Sequence, residues 1–256
     1  MNGKSFLKNA FFWIGLIVFW QFLYTAACDW LHLAKPYAFP SPIGTARSFF
    51  LLLKNGTLLN SAIGSLLRAA AGFGIAVVIG VLLGVSLIRS NFLSDNLRPL
   101  ILGIQTLPSI CWVPFAVLWF GLSQSAVIFV VVMGCAFGIA ITTESCIKNV
   151  PPIYIKAAKT MGVDSHNLYR LVILPAALPS FIAGLKQGWS FSWRALMSGE
   201  VMSSSMGLGY TLMIGRDLAD INQVAAVMLV IVGIGILIDK GIFCRVEARI
   251  LKKRGL

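Results

Sequence analysis

Between Arg98 and Glu144 the chain runs for 45 residues, Pro99 to Thr143, without a charged side chain. At 1.5 Å per helical residue such a run can cross a hydrocarbon layer about 30 Å thick twice, with a turn between the crossings. The turn is expected at Phe120-Gly121-Leu122-Ser123-Gln124-Ser125. Lys8 and Asp29 bracket 20 further uncharged residues, and Arg68 and Arg89 bracket another 20. A fifth crossing begins near Pro175 and is interrupted by Lys186 and Arg194 before Glu200. A sixth lies between Asp220 and Asp239. The expected fold is therefore all-α: a single polytopic membrane domain over residues 1–256, with six spans near 9–28, 60–88, 99–119, 125–144, 175–199 and 221–239.

Composition agrees with this reading. With 58% hydrophobic and 12% charged residues, there are too few charges to solvate the surface of a soluble enzyme, a disordered regulator or a secreted disulfide scaffold. The net charge of +12 then marks a side of the membrane and not a nucleic-acid partner. If the amino terminus is cytoplasmic and six helices alternate, fourteen basic residues fall inside and only Lys35, Arg47, Lys54 and Arg216 outside. Lys4 and Lys8, the group from Lys148 to Arg170, and the tail from Lys240 through Lys253 and Arg254 account for most of them. Both termini of this multi-pass chain are thus expected in the cytoplasm. Lys4 and Lys8 ahead of an apolar run ending in Thr25-Ala26-Ala27-Cys28 also resemble a secretory or lipoprotein signal. The run is long for a signal core, and Thr25 stands where a lipoprotein site prefers Leu, so a retained span is expected.

The five cysteines, Cys28, Cys111, Cys135, Cys146 and Cys244, form no CxxC and have no neighbouring His, so they read as small apolar side chains with no metal site. His32 and His166 stand alone. The sequence contains no GxxxxGK[ST], HExxH or GxSxG, so no catalytic residue is assigned.

Two segments are neither span nor simple turn. Ser41-Pro42 to Asn55-Gly56 reads as an amphipathic helix at the outer interface: Ser41 can cap it, Ile43, Ala46, Phe49, Phe50 and Leu53 recur at helical spacing, and Arg47 and Lys54 share another face. The other is an insert at 149–174 between spans four and five. Pro151-Pro152 ends one helix and can start another, Ile153 to Met161, which Gly162 stops. Asp164 or Ser165 can cap a second short helix, expected to end before Pro175. The adjacent small residues Ala157 and Ala158 allow close entry into a groove, and Gly162 permits a sharp exit. An ordinary interfacial loop is the plainer alternative.

Ala157-Ala158, three residues, Gly162, nine residues and Val172-Ile173-Leu174-Pro175 resemble the cytoplasmic "EAA" signature of permease subunits of ATP-binding-cassette importers. Phe39-Pro40-Ser41-Pro42, Leu107-Pro108 with Trp112-Val113-Pro114, Trp119-Phe120-Gly121, and Trp193-Arg194 through Glu200 to Gly207-Leu208-Gly209-Tyr210 extend the resemblance to the nitrate, sulfonate and taurine branch. The resemblance implies a homodimer, with two cytoplasmic ATPase subunits that bind MgATP and an extracytoplasmic binding protein that delivers a small anion or organic solute. It implies no cofactor in this chain and no nucleic acid. It also implies that the insert is a pair of coupling helices that meet the ATPase through Lys156, Ala157, Ala158, Lys159, Met161, Gly162, Val163 and Asp164. Lys156 departs from the acidic first position of the signature, so the partner groove is expected to offer an acidic or neutral group there.

Within the membrane, Lys186, Trp189 and Trp193 recur at spacings of three and four, roughly on one face, with Arg194 beside them. Charges at depth pair or line an aqueous path, and a cationic, aromatic-edged face suits a small anion with an organic tail. Lys186 and Arg194 can instead snorkel, or pair with Glu200 for structure alone. Pro108 and Pro114 should bend or break span three, leaving Gln105, Thr106 and Ser109 as candidate path-lining groups. Arg68 reads as an interfacial anchor, and Glu144 can pair with Lys148 at i, i+4. The pairs Gly80/Gly84, Gly134/Gly138 and Gly184/Gly188 allow close packing within one subunit or between two. A membrane-embedded enzyme would need a cluster of ionisable groups at one depth, which the nine scattered acids do not provide. A self-sufficient ion-coupled carrier commonly shows internal repeats, and none is evident.

Overall fold

The computed structural model describes residues 3–30, 35 and 38–252. His32, Lys253 and Arg254, and the side chains of Lys4, Lys8 and Asp29, lie outside the described residues. Among the described residues five helices are long and apolar enough to cross a membrane, and a sixth crossing is present if one sharply bent pair is counted as a span. The chain divides into two compact units, Met1–Gly64 with Met206–Val232 and Ser65–Ser205 with Gly233–Leu256.

The first unit opens with helix α1, Gly3–Tyr24, which runs on into a π-turn at Thr25–Trp30. The Trp20 indole donates to the Pro40 carbonyl at 3.0 Å. Helix α2, Pro42–Lys54, begins as the sequence suggests, with Pro in its first turn and the Ser41 hydroxyl accepting from the Gly44 amide at 3.0 Å. Its buried residues are Thr45 and Leu52, whereas Ile43 and Phe50 stand exposed, the pattern of a helix lying at an interface. Gly44 lies against Asn222, where a Cβ would come within 2.6 Å. Asn222 in turn accepts from the Ser41 amide at 2.9 Å. The Ser61 and Thr211 hydroxyls meet at 2.8 Å.

The second unit is built on small residues. Helix α3 spans Thr57–Arg89 and helix α6 spans Gln124–Lys148. A Cβ at Gly80 would lie 2.7 Å from the Ala136 carbonyl oxygen, and one at Gly84 would lie 2.6 Å from that of Ala140. Glycine here lets two helix backbones touch where lipid offers no hydrophobic drive for association. On the other side of α6, Gly184 and Gly188 approach Thr142 and Ile139. These glycine pairs therefore serve packing within the subunit.

Span three is not one straight helix. Helix α4, Asn91–Gln105, is followed by a short 3-10 turn at Ser109–Trp112 and helix α5, Val113–Phe120. The two halves are bent by 101°. Pro108 interrupts the backbone ladder at the bend, and Pro114 opens α5 where its missing N–H costs nothing. Gly121, with φ +67°, ends α5, and Ser123 caps α6.

Helix α7, Pro152–Thr160, stops at Met161 and Gly162, whose φ is +77°. The second short helix does not end before Pro175. Asp164 caps a helix that continues unbroken from Ser165 to Val201, 37 residues long, here called α8. The chain passes Pro175 by winding Leu168–Ile173 as a π-turn, a wider coil placed where proline removes a hydrogen bond and crowds the turn before it. Span five and the second half of the insert are thus one rod. After α9, Leu208–Asp217, helix α10 spans Ile221–Ile238. A π-turn at Asp239–Phe243 joins it to α11, Cys244–Lys252.

Candidate functional site: a surface helix and a membrane cavity

Two regions of the second unit carry the candidate residues. In the first, Ala158 is buried in an apolar cluster with Cys146, Val150, Leu168, Ile173 and Ala177. This cluster joins α7 to the end of α6 and the start of α8. The two alanines consequently differ: Ala158 faces the chain's own core, and Ala157 is exposed beside Lys156, Lys159 and Met161. Ile153, Tyr154 and Met161 are also exposed, so α7 presents an apolar face edged with lysines. Val163 packs against the buried cluster. The Asp164 carboxylate accepts from the Asn167 amide side chain at 2.6 Å and from its backbone N–H at 3.4 Å. The Asn167 side chain, first, holds the Asp164 carboxyl below its ordinary range.

In the second region the bend between α4 and α5 opens a cavity of about 320 Å³, lined by Gln105, Thr106 and Ser109 with Gly134, Gly138, Phe191 and Arg194. The break in span three therefore brings its polar residues to Arg194 of α8. The Arg194 guanidinium lies 4.9 Å from the centre of the Phe191 ring, and its Nε donates to the Ser190 carbonyl at 3.2 Å. The Ser109 and Ser198 hydroxyls are 3.3 Å apart at the same wall. The Thr106 hydroxyl donates to the Gly103 carbonyl at 2.7 Å, closing the frayed end of α4.

The remaining candidates of span five lie elsewhere. Trp189 and Trp193 are buried and stacked on each other with centroids 6.3 Å apart, and Phe73 meets Trp189 edge-on at 5.3 Å. Lys186 faces the π-turn at Asp239–Phe243 and α11, 3.5 Å from Asp239 and 3.9 Å from Glu247. Glu200 is fully buried and pairs with Arg68, while the Ser65 hydroxyl donates to it at 2.7 Å. Neither Lys186 nor Arg194 is its partner. Arg68 is thus no interfacial anchor: it is 6% exposed and sits inside α3. Reading charges as the borders of apolar windows hid it. The signal that could have found it was Glu200 itself, a deep carboxylate in need of a cation.

Glu144 shows the same economy near the end of α6. Lys148 reaches it at 2.6 Å, as the i, i+4 spacing suggests, and Arg98 of α4 reaches it at 3.1 Å. Among the described residues no group of three or more His, Cys, Asp or Glu side chains is placed to hold a metal ion.

Residues 76–249 match the family described as binding-protein-dependent transport system inner membrane component. A Methanocaldococcus jannaschii protein provisionally named an ABC transporter permease is 34% identical, over 75% of this chain and 72% of its own length. A Bacillus subtilis protein provisionally named an aliphatic sulfonates transport permease is 30% identical, over 93% of this chain and 84% of its own. The nitrate import permease of Synechocystis is 25% identical over 88% of this chain and 82% of its own. In fold, the chain resembles the MetNI methionine ABC transporter in an inward-facing conformation, with a TM-score of 0.65, 21% identity and coverage of 76% of this chain and 96% of that one.

Proposed function

Because the chain belongs to the family of inner membrane components of binding-protein-dependent transport systems, we propose that it is the permease subunit of an ATP-driven importer for a small anion or related organic solute. In this reading two copies of the chain frame a translocation path. Two cytoplasmic ATPase subunits bind and hydrolyse MgATP, an extracytoplasmic binding protein delivers the solute, and both termini lie in the cytoplasm. The chain itself transports and does not catalyse.

The observation that carries the reading is mechanical. The buried face of α7 is locked by Ala158 to α6 and α8, and those two helices supply the cavity wall at Gly134, Gly138, Phe191 and Arg194. A push on the exposed face of α7 therefore moves the cavity wall, since packed helices shift as rigid bodies. Lys156, Ala157, Lys159 and Met161 are the residues that meet the ATPase, with Gly162, Val163 and Asp164 shaping the exit into α8. Cavity residues Gln105, Thr106, Ser109 and Arg194 line the path. Lys186, Trp189, Trp193 and Glu200 hold α8 in register and do not touch solute.

Reconstitution in liposomes tests this. Chain, ATPase and binding protein together should take up solute with MgATP hydrolysis, and the chain alone should do neither. Uptake by the chain alone under an ion gradient overturns the reading. Lys156→Glu should weaken affinity for its own ATPase about tenfold, roughly 1.4 kcal/mol; unchanged affinity removes the charge-matching claim.

A further inference from the structure

The cavity at the bend has one cation, Arg194, and at Gly138 a wall position with room for a side chain, and together they describe a ligand. Among the described residues no ion pair joins a carboxylate to Arg194, whereas the ion-paired acids of this unit are committed elsewhere: Glu200 to Arg68, Glu144 to Arg98 and Lys148, Asp239 and Glu247 to Lys186. A cation in that setting calls for a counter-charge that the described residues of this chain do not supply. Its guanidinium is held in place by the Phe191 ring and the Ser190 carbonyl, so the planar fork is pre-organised for two oxygens of one anion.

Gly138 decides how much more than that anion can enter. A Cβ built on Gly138 would lie 3.6 Å from the Gln105 amide nitrogen and 3.8 Å from the Phe191 ring, ordinary contact distances. A methyl group there fits without displacing a neighbour, yet it would occupy the floor between the amide and the ring. Gly134, one turn away, differs: its Cβ would stand 2.6 Å from the Cβ of Ala195, so that glycine serves helix packing.

We infer that the cavity is a subsite for an oxyanion, its head on Arg194 and Gln105 and its apolar tail against Phe191, with Gly138 setting the length of tail admitted. The inference rests on the permease reading and names the chemistry of its path.

The test uses the detergent-solubilised permease–ATPase complex without binding protein, with equilibrium binding of methanesulfonate, butanesulfonate and the uncharged dimethyl sulfone. The native complex should bind both sulfonates and not the sulfone. Arg194→Gln should weaken both sulfonates at least tenfold. Gly138→Ala should weaken butanesulfonate at least fivefold and methanesulfonate less than twofold, with the melting temperature unmoved; Gly138→Ser provides a second variant of similar bulk. The subsite is overturned if the native complex binds neither sulfonate, if the sulfone binds as well as they do, if Arg194→Gln changes nothing, or if the Gly138 variants move both sulfonates alike. Failure of the permease reading is a separate result, seen as loss of co-purifying ATPase or of solute-stimulated hydrolysis with the binding protein restored.

Discussion

Helix α8 carries a carboxylate near each end, and the two are held by opposite means. Near its C-terminus Glu200 is fully buried against Arg68 and Ser65. At its N-terminus Asp164 is exposed and bonded to Asn167, three residues along the same chain. The first contact joins residues 132 positions apart in a low-dielectric interior, where an unpaired charge is costly. The second is a local cap in water, which can open and close at small cost. A rod pinned inside the membrane and lightly capped beside α7 has the mechanical character that the proposed lever needs.

The contrast breaks most visibly at the pinned end. Arg68→Ala strands a buried carboxylate and should destabilise the chain by about 3–5 kcal/mol, read as a large drop in melting temperature and loss of assembly. Arg68→Met with Glu200→Leu removes both charges and should recover most of that stability. If the double variant is as unstable as the single one, the pair contributes more than charge compensation.

Midway along the rod, Gly184→Ala tests the packed seam. Its Cβ would lie 1.9 Å from the Thr142 Cγ2, so overpacking should cost about 1–3 kcal/mol. Thr142→Ala in the same chain should restore the native melting temperature, because it removes the clashing methyl. No recovery would locate the strain elsewhere.

The smallest effect is expected at the capped end. The folded state holds the Asp164 carboxyl below its ordinary range, through the Asn167 side chain first. Its contribution is therefore complete above the ordinary range of an unfolded aspartate and is lost as pH falls through the lower folded value. Amide hydrogen exchange across residues 165–168 should quicken in that acid window, and Asp164→Asn should flatten the response. Equal pH dependence in the two proteins would show that another group governs fraying.

Much of this was legible in the residues. Charge-free windows mark spans because a bilayer of fixed thickness demands helices of fixed apolar length. Ser41, Pro42, Gly121, Gly162 and Asp164 mark element ends because their backbone and capping preferences are local. Gln105, Thr106 and Ser109, which line one cavity, could be grouped together because prolines at 108 and 114 cannot continue a regular ladder. Their meeting with Arg194 depends on the bend of 101°, which the prolines permit but do not aim. Lys186, Trp189 and Trp193 recur at the spacing of one helix face, yet that face turns to the aromatic core, the π-turn at Asp239–Phe243 and α11, not to the cavity.

The apolar helices, the family, the stop of α7 at Gly162 and the cap of α8 at Asp164 could be read from the residues alone, since all follow from short-range composition and spacing. It took the packed chain to show that Glu200 answers Arg68 and leaves Arg194 to the cavity, that Ala158 faces inward and Ala157 outward, and that a π-turn carries α8 past Pro175. The reason is that a charge chooses its partner, and a helix its buried side, by what the rest of the chain brings near. Residues more than a hundred positions apart carry no local mark of that meeting.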